Sequence, residues 1–284
     1  MRTSRIPLPF REILLLNFMQ TVLRRDLGVR SAALLVVASM LGTGIFGTTG
    51  IIQAEVGSAF FVILLWVVGG LVALSGALCY ADLAVQMPHA GGDYIYINRI
   101  FGPLPSFLNG WVSFIAGFSA PIASSALLTG EYASEFFRVI WPGSALADFF
   151  SGTWNRKFLA AALIVVLTLV HTRGVRRGSL IQNFLSLLNI FIVLGFALVG
   201  LYLALQKSDT MTVFARESPR SFWGLGIGLM WVMFAYTGYN GATYLAEEVK
   251  DPRRNLPRAL ILGTIGTAGL YLILNLLYFL SSPI

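Results

Sequence analysis

Long apolar segments separated by short polar ones dominate the pattern of this chain. Seven uncharged runs account for most of its length, and a membrane-spanning helix needs roughly 20 such residues. The fourth run is short, so its span must include flanking residues. The predicted spans cover residues 31–54, 56–81, 104–130, 158–172, 178–206, 221–246 and 259–284. The pattern therefore predicts an all-α transmembrane protein.

Two of these runs carry glycines near mid-span, where we expect the helix to be broken. Gly42 and Gly44 lie in the first run, and Gly238 lies in the sixth. A glycine inside a helix costs about 1 kcal/mol relative to alanine, and a broken helix leaves backbone groups that hydrocarbon cannot satisfy. We expect breaks near 42–44 and near 237–241. Alternatively, the glycines only let a neighbouring helix pack closely.

Spans 1 and 6 occupy corresponding positions if the fold repeats every five spans. Paired glycine-interrupted spans in corresponding positions indicate a transporter's substrate site. Because five is odd, the second repeat enters the membrane from the opposite side and is inverted. This predicts a cytoplasmic segment 1–30, a first repeat 31–206 with spans 1–5, and the start of a second repeat, 207–284, with spans 6–7. The second repeat stops after two spans, so we expect a truncated reading frame.

The basic residues are distributed unevenly between the two sides of the predicted membrane topology. With the N-terminus inside, the cytoplasmic segments hold 14 lysines and arginines and the outer segments hold 6. The positive-inside rule therefore favours a cytoplasmic N-terminus. The net charge of +7 follows from this topology and gives no reason to expect nucleic-acid binding. We expect a multi-pass protein of the cell membrane, either the plasma membrane or a bacterial inner membrane.

The expected breaks place unpaired backbone groups where a zwitterion can bind. The half-helix after the first break begins with free N–H groups at Thr43, Gly44 and Ile45, and such an end attracts a carboxylate. The half-helices that end at the breaks offer carbonyl groups to an ammonium ion. Those carbonyls belong to Met40, Phe234 and Thr237. An α-amino acid carries both groups at the spacing required.

Three sequence blocks resemble the amino acid–polyamine–organocation superfamily of permeases. They are Gly42-Thr-Gly-Ile-Phe46, then Gly91-Gly-Asp-Tyr-Ile-Tyr96 with Phe101-Gly-Pro103, and Phe234-Ala-Tyr-Thr-Gly-Tyr-Asn240 with Glu247-Glu-Val-Lys-Asp-Pro-Arg-Arg-Asn-Leu-Pro-Arg-Ala259. The L-type amino acid transporter branch and its bacterial relatives are the most similar. The resemblance runs from about Asp26 to the chain end, and the block in span 6 is its most specific part.

The resemblance implies the leucine-transporter fold with alternating access around spans 1 and 6. It implies that the substrate carboxylate binds the amides of Thr43 and Gly44, and that the Phe234 ring is a gate over the substrate. The full set of expected substrate-binding residues is Met40, Gly42, Thr43, Gly44, Ile45, Phe234, Thr237 and Gly238.

Coupling and partners remain open within this resemblance. Many relatives carry a lysine in span 5 near the first break, and Asn189 occupies that position here. Coupling to H⁺ or Na⁺ and uncoupled exchange are therefore all left as alternatives, and no cofactor or metal is expected. Animal L-type transporters are linked to a heavy chain through a cysteine in the loop after span 3. Segment 131–157 has no cysteine, so we expect no disulfide-linked heavy chain.

The predicted function is a secondary amino acid transporter, and the alternative is a sensor, derived from a permease, that binds amino acid without moving it. A rhodopsin-like receptor fits poorly, because its N-terminus lies outside and 259–284 lacks the lysine that retinal requires. No nucleophile–base pair lies within a span, so an enzyme is not expected. The loop residues Asp82, His89, Asp93 and Arg99 form either a polar site or a cytoplasmic loop folded under the bundle.

Overall fold

The computed structural model describes residues 25–172, 175–206 and 218–281, which are almost entirely helical. Across these ranges, β-type pairing is confined to an isolated parallel bridge between Leu27 and Val249. The expectation of an all-α protein is therefore confirmed. Most of the predicted segment 1–30 lies outside the described residues, as does most of the loop that opens the predicted second repeat.

Eleven α-helices follow one another along the described ranges. They are α1 (Val29–Met40), α2 (Thr43–Val56), α3 (Ala59–Gln86), α4 (Asp93–Phe101), α5 (Pro103–Val112), α6 (Ala120–Ile140), α7 (Ala145–Ser151), α8 (Thr153–His171), α9 (Val175–Leu205), α10 (Phe222–Ala235) and α11 (Pro252–Ser281). A π-helical turn, Ser113–Ser119, joins α5 to α6, and a 3-10 helix, Gly241–Glu248, follows α10.

Five helical segments of the described chain are long and apolar enough to cross a membrane. They are Ala59–Gln86, Pro103–Ile140, Thr153–Val170, Gly178–Leu205 and Pro252–Ser281, and they coincide with predicted spans 2, 3, 4, 5 and 7. The other two predicted spans are each divided into shorter pieces. Span 1 consists of α1 and α2, and span 6 consists of α10 and the 3-10 helix. The chain is a multi-pass membrane protein.

The third span extends further than its uncharged run predicted. Its last helix continues to Ile140, whereas the uncharged run ends at Gly130. Helix formation does not end where lipid ends, because charged residues are good helix formers and Glu135 pairs with Arg138 one turn later at 2.6 Å. The fourth span begins at Thr153, so it does include flanking residues as predicted.

Proline at the second position of α6 explains the irregular turn in the third span. The π-helical turn Ser113–Ser119 lies directly before α6, whose second residue is Pro121. A proline has no N–H to donate to the preceding turn. Widening that turn is a known local adjustment around such a missing bond.

The core lies where α1, α3, α10 and α11 meet. Trp66, Tyr236 and Tyr271 are fully buried there, with ring centroids separated by 5.7, 5.3 and 5.2 Å. Aromatic pairs at such distances contribute about 0.5–1.5 kcal/mol each beyond the area that they bury. The Tyr236 hydroxyl donates to the Trp66 carbonyl at 3.1 Å, so this cluster fixes the second broken span against α3.

Both ends of the bundle join span 1 to span 6. At one end, which we call the inner end after the predicted topology, Leu27 N–H donates to the Glu248 carbonyl at 2.9 Å and Lys250 N–H donates to the Leu27 carbonyl at 2.8 Å. Burial, and secondarily the charge of Asp26, raises the pKa of the Glu248 carboxyl. At the outer end, Arg220 N–H donates to the Val56 carbonyl at 2.9 Å.

Close packing of α11 on α1 depends on a glycine, and this generates a stability prediction. A Cβ on Gly263 would lie 2.6 Å from the Val36 Cβ, whereas one on Gly266 of the same helix would meet nothing within 4 Å. Gly263→Val should lower the free energy of unfolding by about 1–3 kcal/mol through overpacking. Gly266→Val is the control. Equal thermal stability of the two purified variants would contradict this packing.

Candidate functional site

The first break is a two-residue interruption between α1 and α2. Leu41 and Gly42 have non-helical backbone angles, with φ and ψ of −71° and 73° at Leu41 and −109° and −162° at Gly42. The helix α2 then starts at Thr43, and within the described structure no side chain caps its N-terminus. The amides of Thr43, Gly44 and Ile45 thus form the first turn of a helix inside the bundle. An uncapped first turn leaves N–H groups that attract an anion.

The second break is a turn between α10 and the 3-10 helix. The helix α10 ends at Ala235, and Gly238 adopts a left-handed backbone conformation with φ of +103°. Thr237 closes the helix end locally, because its N–H and its hydroxyl both donate to the Phe234 carbonyl, at 3.2 and 2.7 Å. The Phe234 carbonyl at this break is therefore already hydrogen-bonded by a neighbouring residue of the same break.

The two breaks are in direct contact through glycines. A Cβ on Gly44 would lie 3.0 Å from the Ala235 Cα, and a Cβ on Gly238 would lie 2.4 Å from the Ser39 carbonyl oxygen. Gly42 differs from both, because a Cβ there would meet nothing within 4 Å. The glycines therefore serve both purposes that the sequence suggested. Gly238 permits the second interruption through its positive φ, and Gly44 and Gly238 let the interrupted helices pack closely.

Tyr271 of α11 connects the carbonyl ends of the two broken helices. Its hydroxyl oxygen lies 2.5 Å from the Met40 carbonyl oxygen and 3.1 Å from the Ala235 carbonyl oxygen. A phenol has one proton to donate, so the two carbonyls share it. Sequence reasoning missed this residue. The available signal was a tyrosine in the middle of span 7, because a buried Tyr hydroxyl usually finds a hydrogen-bond partner.

Two of the carbonyls expected to hold an ammonium group already accept two hydrogen bonds each. The Met40 carbonyl accepts from the Gly42 N–H at 2.8 Å as well as from Tyr271. The Phe234 carbonyl accepts twice from Thr237. A carbonyl oxygen has two lone pairs, so an ammonium group binding at either position competes with an internal donor.

A cavity of about 1000 Å³ opens beside the first break. Ser39 and Gly42 line one wall, and α6 and α8 supply the others, with Ser125, Thr129 and Thr168 among their lining residues. Small-molecule sites commonly occupy about 300–1,000 Å³ with a few polar groups in a mostly apolar lining. The cavity therefore has room for an amino acid next to the N-terminal end of α2.

The expected site residues lie at different depths around this cavity. Gly42 lines it, whereas Met40, Gly44 and Ile45 are buried behind it. Thr237 is exposed and Gly238 is half-buried. Phe234, the expected gate, is 51% exposed, meets the Trp231 ring edge-on at 6.1 Å, and does not line the cavity.

Polar side chains also connect the first span to spans 5 and 7. Asn183 of α9 donates to the Ser31 hydroxyl at 3.0 Å, and Thr49 of α2 donates to the Asn275 side-chain oxygen at 2.9 Å. Asn189, the expected coupling position, is half-buried in α9, and no bond among the described residues joins its side chain to the first break. The described ranges hold no group of three or more His, Cys, Asp or Glu side chains arranged to bind a metal ion.

Comparison with known proteins gives one consistent result. Residues 27–284 match the family described as Amino acid permease. The chain is 30% identical to the mouse (Mus musculus) b(0,+)-type amino acid transporter 1 over 261 residues, which are 91% of this chain and 52% of that protein. It is 29% identical to the human (Homo sapiens) Asc-type amino acid transporter 1 over 266 residues, covering 92% and 49%.

A third relative, the Large neutral amino acids transporter small subunit 2 of Oryctolagus cuniculus, is 30% identical over 264 residues, covering 90% of this chain and 47% of that protein. The chain thus spans about half the length of the curated relatives that it matches. The family match covers both broken spans and the residues that line the cavity beside the first break. This chain belongs to the amino acid permease family.

Proposed function

We propose that this chain binds an α-amino acid at its two broken spans and belongs to a secondary transporter that moves the amino acid across the membrane by alternating access. The observation that carries this proposal is the uncapped N-terminus of α2, which begins one residue after Gly42 at the wall of the cavity. All three relatives compared above are named as amino acid transporters.

The amino acid binds as a zwitterion. Its carboxylate accepts from the amides of Thr43 and Gly44, at the positive end of α2. Its ammonium group binds carbonyls at the ends of the interrupted helices, Met40, Phe234 and Thr237. At Met40 and Phe234 the ammonium replaces an internal donor, so substrate binding and rearrangement of the breaks occur together.

The Phe234 ring closes over bound substrate after a rearrangement, since in this structure half of it is exposed. The N-terminus lies in the cytoplasm, and spans 6 and 7 begin a repeat inverted relative to spans 1–5. The coupling ion is left open, with Asn189 as the position that would distinguish mechanisms, and the absence of a disulfide-linked heavy chain stays a prediction.

Binding of matched ligands by the complete gene product tests the proposal most directly. We expect a neutral amino acid to bind with at least about tenfold higher affinity than either the amine without its carboxylate or the acid without its amine, because each loses one charged contact. Isothermal titration on purified protein measures this. Equal affinity for all three ligands would contradict zwitterion recognition. Selective binding without uptake into proteoliposomes would favour the sensor alternative.

Gly44→Val should abolish amino acid binding, with affinity lowered by at least about a hundredfold. A Cβ on Gly44 would already lie 3.0 Å from the Ala235 Cα, so the first turn of α2 has to move to admit a valine. Gly47→Val is a matched control on the same helix, where a Cβ meets nothing within 4 Å. The measurement is ligand binding at equal levels of membrane-inserted protein. Unchanged binding in Gly44→Val would remove this turn from the site.

Tyr271→Phe should destabilise the protein by about 1–3 kcal/mol, because two buried carbonyls lose their shared donor. The ring itself is retained, so packing against Trp66 is unchanged. Tyr202→Phe, which removes the hydroxyl of a side chain that is 63% exposed, is the control. Thermal unfolding of both purified variants measures the difference, and a Tyr271→Phe protein as stable as the control would show that the two helix ends do not need this hydroxyl.

A further inference from the structure

The carboxylate of Asp93 accepts hydrogen bonds from the second broken span. Asp93 is the first residue of α4, in the polar loop region that the proposed substrate site does not use. The Asn240 side-chain amide donates to its two oxygens at 3.0 and 3.3 Å. The Tyr244 hydroxyl donates to one of the same oxygens at 3.2 Å. Hydrogen bonds to an ionised acceptor are roughly twice as strong as neutral ones.

The backbone beside Asp93 is shaped to reach that span. Gly92 has a left-handed conformation with φ of +51°, and a Cβ there would lie 2.9 Å from the Tyr244 ring and 3.0 Å from the Thr243 hydroxyl. A side chain at this position would therefore be strained and would also push the loop away. The close approach of Gly92 and the bonds to Asp93 both bring the loop onto the same segment.

A purely local role for Asp93 does not explain these contacts. An acidic residue in the first turn stabilises its own helix through the helix dipole, and that requires no distant partner. Both donors to Asp93 instead come from residues 147 and 151 positions away. Asp82, at the end of α3, shows the local pattern, since its carboxylate accepts from Gln86 of its own helix at 2.8 Å.

The segment that Asp93 holds has little regular structure of its own. Gly241–Glu248 is a 3-10 helix interrupted at Leu245, where φ is −113° and ψ is 26°. Hydrogen-bond geometry in a 3-10 helix is poorer than in an α-helix, so contacts with neighbours decide where this segment lies. Its far end is paired with Leu27, and Val249 is fully buried. The segment is therefore attached to the start of span 1 at its far end.

We propose that Asp93 is a positioning residue for transport. Together with Asn240 and Tyr244 it forms an inner latch, which holds Gly241–Glu248 against the bundle and must release before the inner end opens. The inference rests on the proposed function, because a latch at this end has a role only if substrate leaves or enters there. The partner of Asp93 is thus the half of span 6 that follows its break.

Hydrogen–deuterium exchange on the complete gene product tests the latch without depending on transport. In Asp93→Asn, the amides of residues 241–248 should exchange roughly tenfold faster than in the native protein, because charge-assisted bonds to the segment are lost. Asp82→Asn removes a carboxylate at the same end and should leave these amides unchanged. Equal exchange in the two variants would overturn the proposal.

Exchanging the side chains of residues 93 and 240 distinguishes loss of their specific contact from general destabilisation. Asn240→Asp alone places two carboxylates together and should accelerate exchange of the same amides. Combining it with Asp93→Asn restores one amide–carboxylate pair and should return exchange to within about threefold of native. A swapped protein that exchanges as fast as Asn240→Asp alone would contradict the latch. If Asp93→Asn fails to fold, Asn240→Ala removes the donor of the same hydrogen bond without altering the loop.

Efflux of amino acid from proteoliposomes shows whether the contact between Asp93 and span 6 acts in transport. Proteoliposomes loaded with labelled amino acid should release it about tenfold faster with Asp93→Asn than with Asp82→Asn, while equilibrium affinity in detergent changes less than about twofold. If Asp93→Asn accelerates hydrogen–deuterium exchange but leaves amino acid efflux unchanged, the proposed role of Asp93 in transport would be overturned. Amino acid binding that is absent even in the native protein would instead refute the proposed function, and the exchange experiment would still decide whether the inner latch exists.

Discussion

The shared hydrogen bond from Tyr271 is the contact on which the arrangement of both broken spans depends. Interrupting two helices inside a bilayer leaves carbonyl groups that water cannot reach, and each such group costs free energy if it stays unpaired. One phenol on α11 satisfies Met40 and Ala235 together. The ends of α1 and α10 are consequently fixed to the same point, and the rest of the site is built outward from it.

Glycine makes that convergence sterically possible. Gly44 brings α2 against the end of α10, and Gly238 brings the second break against Ser39. Two helix ends that share one hydroxyl cannot be separated by side chains, so the small residues and Tyr271 solve the same geometric problem. Gly42 is left facing the cavity, and the first turn of α2 is the part of the backbone that stays available to a ligand.

Contacts at the two ends of the bundle differ in kind. At the outer end Arg220 donates to the carbonyls of Ala54 and Val56, at the end of α2. Gly224 and Gly228 of α10 pack closely against the same end of α2. At the inner end the irregular segment Gly241–Glu248 is held by side-chain hydrogen bonds and by backbone pairing with Leu27. Segments with few regular hydrogen bonds of their own are the ones that open at low free energy.

The sequence by itself determined the properties that depend on each residue and its near neighbours. Run lengths indicated the membrane spans, since transfer into lipid is nearly a sum over residues, and glycines at 42–44 and 238 indicated the interruptions, since helix propensity is local. Which atoms meet was decided only by the tertiary structure. Tyr271 lies 231 residues from Met40, and no local rule pairs them. The bond from Asn240 to Asp93 likewise depends on packing between distant elements, whose geometry a linear pattern does not contain.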